Sequence, residues 1–343
     1  MEHKKLTPIT MKDIARQLGV SVSTVSRALR DSYMISPETK KKVLEFATAS
    51  HFRPNVSAQN LKNKPSKTIG VSISSMQIGF FSAVLSGMES AASQKAYQLI
   101  ISQCGESAEQ ERNNIETLQW RGVDGLLVSL SSATTDFSYL QLLLEDGLPI
   151  VFFDRVPPPG LQACRVISDN IQGAYDLTRA LLQKGYTRIA QVTSQPGLSI
   201  TTERLQGYSR ALAEAGLPLL PEYICYCTQG GRSEAETIKA LEALFALPQP
   251  PQVIFSASDR ITMTTFSWLQ QQGIAIPGQV ALAGFSNFEY PHLFNPPLTT
   301  VSQQAFEIGE AAMNQLIQQV EKPKKAVPET LVFPALVNLR QSV

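Results

Sequence analysis

The sequence predicts a small all-α head built round a helix-turn-helix, followed by an α/β body of two doubly wound, parallel-sheet lobes. Three observations predict this. Residues 10–50 hold three short stretches with helical apolar spacing, separated by a glycine and by polar caps. From Lys67 onward, β-branched runs alternate with helical stretches, the first four runs at intervals of 24 to 30 residues, the span of a strand plus a crossover helix. The charge is also divided. Residues 1–66 carry twelve Lys or Arg against five acids, +7, and the remainder carries eighteen against twenty-four, −6. A basic head on an acidic body implies that the head meets a polyanion and the body does not.

At 343 residues and 43% apolar content, the chain is long enough for two or three domains with proper cores. The first ten residues have charge but no apolar stretch of the kind that directs export. No run of eighteen apolar residues occurs, so no membrane span is expected and the cytoplasm is the expected location. The four cysteines (Cys104, Cys164, Cys225, Cys227) and three histidines lack metal-ligand spacing, so no metal and no cofactor is expected.

In the head, Thr10 reads as the cap of a first helix, MKDIARQL, which places Ile14, Ala15 and Leu18 on one face. Gly19 ends it, Val20 forms an apolar plug, and Ser21 caps a second helix from Val22 to Leu29. Ser36 and Pro37 open a third helix to about Ser50, with Val43, Leu44 and Ala47 as its apolar stripe. Eight residues, a glycine turn and eight more form a helix-turn-helix. The outward side of the second helix holds Val22, Ser23, Ser26, Arg27 and Arg30. These side chains are short or cationic, which suits close approach to base edges and phosphates. Lys40 to Lys42 are either a solvated face or further phosphate contacts.

These residues carry a specific resemblance. Asp13-Ile14-Ala15, Gly19-Val20-Ser21 and Thr24-Val25-Ser26-Arg27 are followed by Ile35-Ser36 with Thr39, and by Phe52-Arg53-Pro54-Asn55. The series resembles the lactose-repressor/galactose-repressor (LacI/GalR) family, and the likeness continues through most of the chain. It implies a DNA-binding domain over 1–54, a hinge over 55–66, and an effector-binding and dimerisation body over 67–343. In the head it implies that Val22 and Ser23 read major-groove bases, with Arg27 beside them on base or phosphate. Thr10, Ser21, Thr24, Ser26 and Arg30 complete the expected contacts of the helices. Val22 can meet a thymine methyl but donates no hydrogen bond. The hinge is implied to fold where two copies meet in the minor groove. Asn55 and Ala58 belong to that contact, and Leu61 is the wedge that unstacks the operator centre. Many members carry an arginine where this chain has Gln59, which puts the central base preference in question.

In the body, strands are expected at Thr68–Ser74, Gln98–Gln103, Gly125–Leu130 and Ile150–Phe153, and again at Arg188–Val192, Tyr223–Cys227, Val253–Ala257 and Val280–Phe285. Sheets of this kind bind ligands outside the carboxyl ends of their strands, so two facing lobes make a cleft. The arrangement resembles periplasmic sugar-binding proteins. The first lobe is expected to comprise about 67–166 and 298–324, and the second about 167–297 and 325–343. Ile308, Ala312, Leu316 and Val320 form an i, i+4 stripe on a last long helix. Glycine-rich phosphate loops, a nucleophile elbow and H-E-x-x-H are all absent, so the body is not expected to be an enzyme.

Eight residues at or after strand ends are the expected effector contacts: Ser74, Phe80, Phe81, Asp154, Arg155, Arg204, Asp259 and Ser286. The resemblance matches Asp154 and Arg204 to positions that hold effectors, and a guanidinium grips a vicinal diol or an anion with two bonds. Phe80 and Phe81 are read equally as core and as cleft wall. Many sugar-responsive members have an acid at Ser286 and an asparagine at Ser258. Their absence weakens simple hexose binding and favours a sugar phosphate, sugar acid or disaccharide held by Arg204 and Arg155.

The expected partners are therefore double-stranded operator DNA, a sugar or sugar-phosphate effector and a second copy of the chain. The sequence lacks an appended heptad segment, which points to a homodimer rather than a tetramer. Repression is the expected outcome. Control by a protein corepressor, activation by the same parts, and a solute-binding protein without a DNA role are the alternatives that remain open.

Overall fold

The computed structural model describes residues 11–29, 35–49, 66–322 and 328–343. Thr10, Arg30, Asn55, Ala58 and Leu61 lie outside the described residues, as does the side chain of Ser26. The chain divides into two compact units, Met1–Ser66 and Lys67–Val343.

In the first unit the helices are Met11–Leu18, Val22–Leu29 and Pro37–Ala49. Gly19 has φ +64°, a conformation that only glycine adopts without cost, and it turns the chain between the first two. The Ser21 hydroxyl accepts the Thr24 N–H at 3.0 Å, and the Ser36 hydroxyl accepts that of Thr39 at 3.3 Å. Both caps thus satisfy donors that a helix start leaves open. Ile14, Ala15, Val25, Ala28, Val43 and Ala47 form the core, with Leu18, Val20 and Leu29 partly buried around it. Leu44 departs from expectation. It is 48% exposed, because the stripe of the third helix passes through Val43, Phe46 and Ala47 instead.

The body holds two six-stranded sheets. The first comprises β1 (Thr68–Ile73), β2 (Gln98–Gln103), β3 (Gly125–Val128), β4 (Ile150–Phe153), β5 (Cys164–Ser168) and β11 (Thr330–Phe333). Their order is β11-β5-β4-β3-β1-β2, parallel throughout. The second comprises β6 (Ile189–Ser194), β7 (Ile224–Cys227), β8 (Val253–Ser256), β9 (Ala281–Phe285), β10 (Thr299–Gln303) and β12 (Ala335–Asn338). Its order is β12-β10-β9-β8-β6-β7, with only β12 antiparallel. Strand direction of connection reverses beside β1 and beside β6, and ligands of such sheets bind outside those carboxyl ends.

The expected lobe boundaries need correction. Thr299–Gln303 pairs with β9 in the second sheet, and Thr330–Phe333 pairs with β5 in the first. The later crossings therefore fall at Gln303–Gln304 and at Pro334, not near 298 and 325. The apolar helix after β10 marks neither crossing; the interior strand β10 and the edge strand β11, five and four residues long, set them.

Each lobe is locked by a helix pair that meets at glycine. A Cβ on Gly87 (helix Gly79–Gln94) would strike the Phe306 carbonyl, and one on Gly309 (helix Ala305–Glu321) would strike that of Val84. In the second lobe, Gly207 (helix Ser199–Glu214) meets the Ile171 carbonyl of helix Asn170–Gln183 in the same way. Ile308, Ala312 and Leu316 are fully buried in the first core, with Val320 at its margin.

Candidate effector cleft and DNA-reading helix

On the second helix of the head, Val22 is 41% exposed, and Ser23 and Arg27 are exposed. The Ser21 hydroxyl lies 2.7 Å from that of Ser23 and 2.8 Å from that of Thr24. The first turn thus presents an ordered hydroxyl cluster beside an apolar side chain. Lys42 pairs with Glu38 at 2.8 Å, and Lys41 lies 4.0 Å from Glu45, both as i, i+4 pairs on an exposed helix face.

In the body, Asp154 follows β4 with φ +56°, a left-handed turn that points the chain into the cleft. Its side chain is buried, and burial pushes its pKa up, partly offset by the charges of Arg155 and Arg204. Arg204 enters from helix Ser199–Glu214 and is only 3% exposed. Its Nε donates to Asn170 Oδ1 at 2.9 Å and its Nη1 to the Ala257 carbonyl at 2.6 Å. Its guanidinium sits 3.9 Å from the centroid of the Phe285 ring. Burial lowers its pKa to about 10, leaving it charged at neutral pH. Nη2 makes no hydrogen bond to a described residue, and Arg204 lines the cleft cavity.

Asp259 begins helix Asp259–Gln271, which Ser258 caps by accepting the Ile261 N–H. The Ser286 hydroxyl and the Asn287 N–H both donate to Asp259 Oδ1, and the Phe80 backbone N–H of the other lobe also favours its charged form. Burial still raises its pKa. An acid therefore stands beside Ser286, supplied by Asp259, with its Oδ1 already accepting two hydrogen bonds. Ser258 carries a helix cap rather than an amide toward the cleft.

Asp154, Arg155, Arg204, Asp259, Phe80 and Phe81 all line one cavity of about 40 Å³, together with Gln303. That is far below the ~300–1,000 Å³ of ordinary ligand pockets, so the cavity as it stands has no room for a ligand of that size. Both phenylalanines are cleft wall and core at once. They lie edge to face at 5.4 Å, and Phe81 packs on Phe153.

Two expected contacts behave differently. Arg155 Nη1 is held by both oxygens of Glu106, at 2.9 and 2.8 Å, in a pair almost wholly buried. Burial works to raise the Glu106 pKa, but Arg155 and the Ser132 N–H outweigh it and hold the carboxyl below its ordinary value. Arg155 is thus already committed to an anion. Ser74 is buried with its hydroxyl unpartnered, and it borders a separate space rather than this cavity. Sequence reasoning missed Asn170, which orients Arg204, and Gln303, which donates to Asp154 and to Ser168 Oγ at 2.8 Å. Gln303 ends β10 and Asn170 opens the helix that follows β5, two strands that lacked a clear sequence signal.

A DNA-reading three-helix head and a two-lobed body with a charged cleft define a ligand-responsive transcription regulator. The comparisons with known proteins agree. Residues 10–55 match the family model of bacterial regulatory proteins, lacI family, and residues 66–340 match that of periplasmic binding proteins and the sugar binding domain of the LacI family. The chain belongs to the LacI family. It is 32% identical over 337 residues to the ribose operon repressor of Haemophilus influenzae, covering 97% of this chain and 98% of that one. It is 31% identical over 318 residues to the HTH-type transcriptional repressor CytR of Escherichia coli, covering 93% and 92%. A structure of the regulator CelR in complex with cellobiose aligns with TM-score 0.71 and 25% identity over 98% of this chain and 100% of that one. A lac repressor dimer bound to operator and an anti-inducer shares the fold, with TM-score 0.78 at 22% identity over 98% and 99%. Among the described residues no helix is long and apolar enough to cross a membrane, and no His/Cys/Asp/Glu cluster suits a metal.

Proposed function

We propose that this regulator is a cytoplasmic, non-enzymatic repressor that binds a pseudo-palindromic operator as a homodimer and changes its grip when a polyhydroxylated effector enters between the lobes. The observation that carries the reading is the convergence of Asp154, Arg204 and Asp259 from both lobes on one buried cavity. Acids accept hydroxyls, Arg204 Nη2 donates, and Phe80 and Phe285 offer ring faces and edges. A sugar-type ligand uses all of these groups, and the CelR–cellobiose likeness and the ribose operon repressor relative support that ligand class. The head contributes Val22, Ser23, Thr24, Ser26 and Arg27 to the major groove, and the hinge 55–66 contributes Leu61 to the minor groove. Closing or parting the lobes alters the spacing of two hinges in a dimer, a coupling of about 1–3 kcal/mol in typical cases.

The test is operator selection from a random duplex pool, followed by binding assays across a panel of pentoses, hexoses, disaccharides and nucleosides. A selected palindrome whose affinity shifts at least fivefold with one compound is the expected result. Loss of Arg204 should remove that shift and leave DNA binding intact. Deleting residues 1–66 should abolish operator binding. Specific DNA binding by the deleted chain, or an effector response that survives Arg204→Ala, overturns the assignment.

A further inference from the structure

A second space, of about 450 Å³, lies beside the cleft, and its walls come from both lobes. The first lobe supplies Ser74, Ser75, Gln103 and Ser107 from the carboxyl ends of β1 and β2. The second supplies Arg232 and Arg260, which follow β7 and β8. Arg260 Nη2 donates to Ser75 Oγ at 2.8 Å, and Arg232 Nη1 donates to the Gly105 carbonyl. Both partners are neutral. Among the described residues, neither guanidinium has a carboxylate within salt-bridge distance. Glu106 is the acid whose field reaches Arg260, but both of its oxygens are engaged by Arg155. Arg260 is half-buried and its pKa is lowered, by burial first and by other cations including Arg232. Beside them the Ser74 hydroxyl is fully buried without a hydrogen-bond partner. Two guanidiniums with neutral partners and no acid on the walls make a site short of one anion.

We infer that this space is an anion subsite that takes the phosphoryl group of a phosphorylated effector, gripped by Arg232 and Arg260. The inference rests on reading the neighbouring cavity as the effector site, with the hydroxyl-bearing part of the ligand against Asp154 and Arg204. It moves the anion away from Arg204 and Arg155, which are occupied by Asn170, the Ala257 carbonyl and Glu106. Guanidinium forks match phosphate oxygens in pairs, and two of them facing one space exceed what a neutral sugar needs. Binding there also ties the lobes together, because each arginine already reaches from the second lobe to the first.

The experiment uses the full chain in a phosphate-free buffer and follows its thermal unfolding against added inorganic phosphate, with chloride at matched ionic strength as reference. A ligand bound only by the folded state raises the midpoint. Phosphate should raise it in the unaltered chain, and Arg232→Gln with Arg260→Gln should weaken the apparent phosphate affinity at least tenfold. The basic head is the same in both proteins, so phosphate bound there cancels. Arg232→Lys with Arg260→Lys keeps the charge without the fork and should recover part of the effect, and it serves as well if the Gln pair folds poorly. An equal phosphate response in the unaltered and altered chains, whether both rise or neither does, overturns the subsite. A parallel arm with free sugars separates the two readings. A sugar-induced shift that survives the arginine pair but is lost in Arg204→Ala leaves the cleft reading standing by itself.

Discussion

Arg204 is stacked on Phe285, its guanidinium carbon 3.9 Å from the ring centroid, while Asn170 and the Ala257 carbonyl fix its Nε and Nη1. The arrangement holds a buried cation in one orientation with a single nitrogen left for the cleft. Arg204→Lys should therefore be nearly as damaging as Arg204→Ala, because an ammonium cannot stack as a plane or keep both bonds. Effector affinity should fall at least tenfold in both, read by calorimetry, with operator affinity unchanged in the absence of effector. Full retention of effector affinity by the lysine variant contradicts the positioning role.

Asp154→Asn should separate stability from binding. A carboxyl raised by burial favours its neutral form, so its contribution is full below the ordinary aspartate value and is lost as pH rises through the folded pKa. At pH 7 the amide should melt higher, by about 2–4 °C if the gain is ~1 kcal/mol. Asparagine also tolerates the φ of +56° found there. The advantage should shrink near pH 4, and effector binding should weaken at every pH. Melting curves at the two pH values check the sign.

Glu106→Gln reverses that logic. The lowered Glu106 pKa contributes stability above its ordinary value, which is lost as pH falls through the folded pKa. The amide removes the closer of two carboxylates beside buried Arg155, leaving Asp154 at 3.9 Å, so the cost should approach the ~3–5 kcal/mol typical of a broken buried pair. Urea unfolding at pH 7 should show a markedly lower midpoint for the variant, and the gap should narrow on acidification.

Much of this architecture is legible in the sequence, for identifiable reasons. Gly19, Ser21 and Pro37 punctuate the head, and each does so through a local rule that tertiary contacts do not override. β1 to β4 and β6 to β9 are framed by helices of regular spacing. The strands β5, β10, β11 and β12 are four or five residues long, and β11 and β12 share one apolar run, residues 331–337, in which nothing but Pro334 signals that its halves join different sheets. The site was legible where a residue directly follows a readable strand, as with Asp154 and Asp259. It was not legible where function depends on who pairs with whom. Nothing in the order of residues says that Glu106 claims Arg155, that Asp259 claims Ser286, or that Arg232 and Arg260 meet no acid.

Gly87→Ala should test the helix contact in the first lobe. The added methyl would strike backbone, the Phe306 carbonyl and the Glu310 nitrogen, so the helices must separate, at a cost of about 1–3 kcal/mol. Thermal unfolding should report the loss, and Gly309→Ala should behave alike. A near-neutral result for both would mean that this pair shifts freely.

Ser21→Ala should act within the head. Removing the acceptor of the Thr24 N–H costs about 1 kcal/mol and also frees the Ser23 hydroxyl from its partner. Amide exchange at Thr24 should quicken in the full chain, operator affinity should fall, and effector binding should stay as it was.

The order of the sheets also governs how the protein is made. β11 and β12 come from residues 330–338, and they complete the first and second sheets respectively. A ribosome has delivered the whole three-helix head and nearly all of both lobes before either sheet can acquire its last strand. Chains released early therefore carry a finished head on a body whose two sheets both expose raw edges. Surveillance by proteases should fall on such products, and DNA contact and effector response should be acquired at different times in the life of one nascent chain.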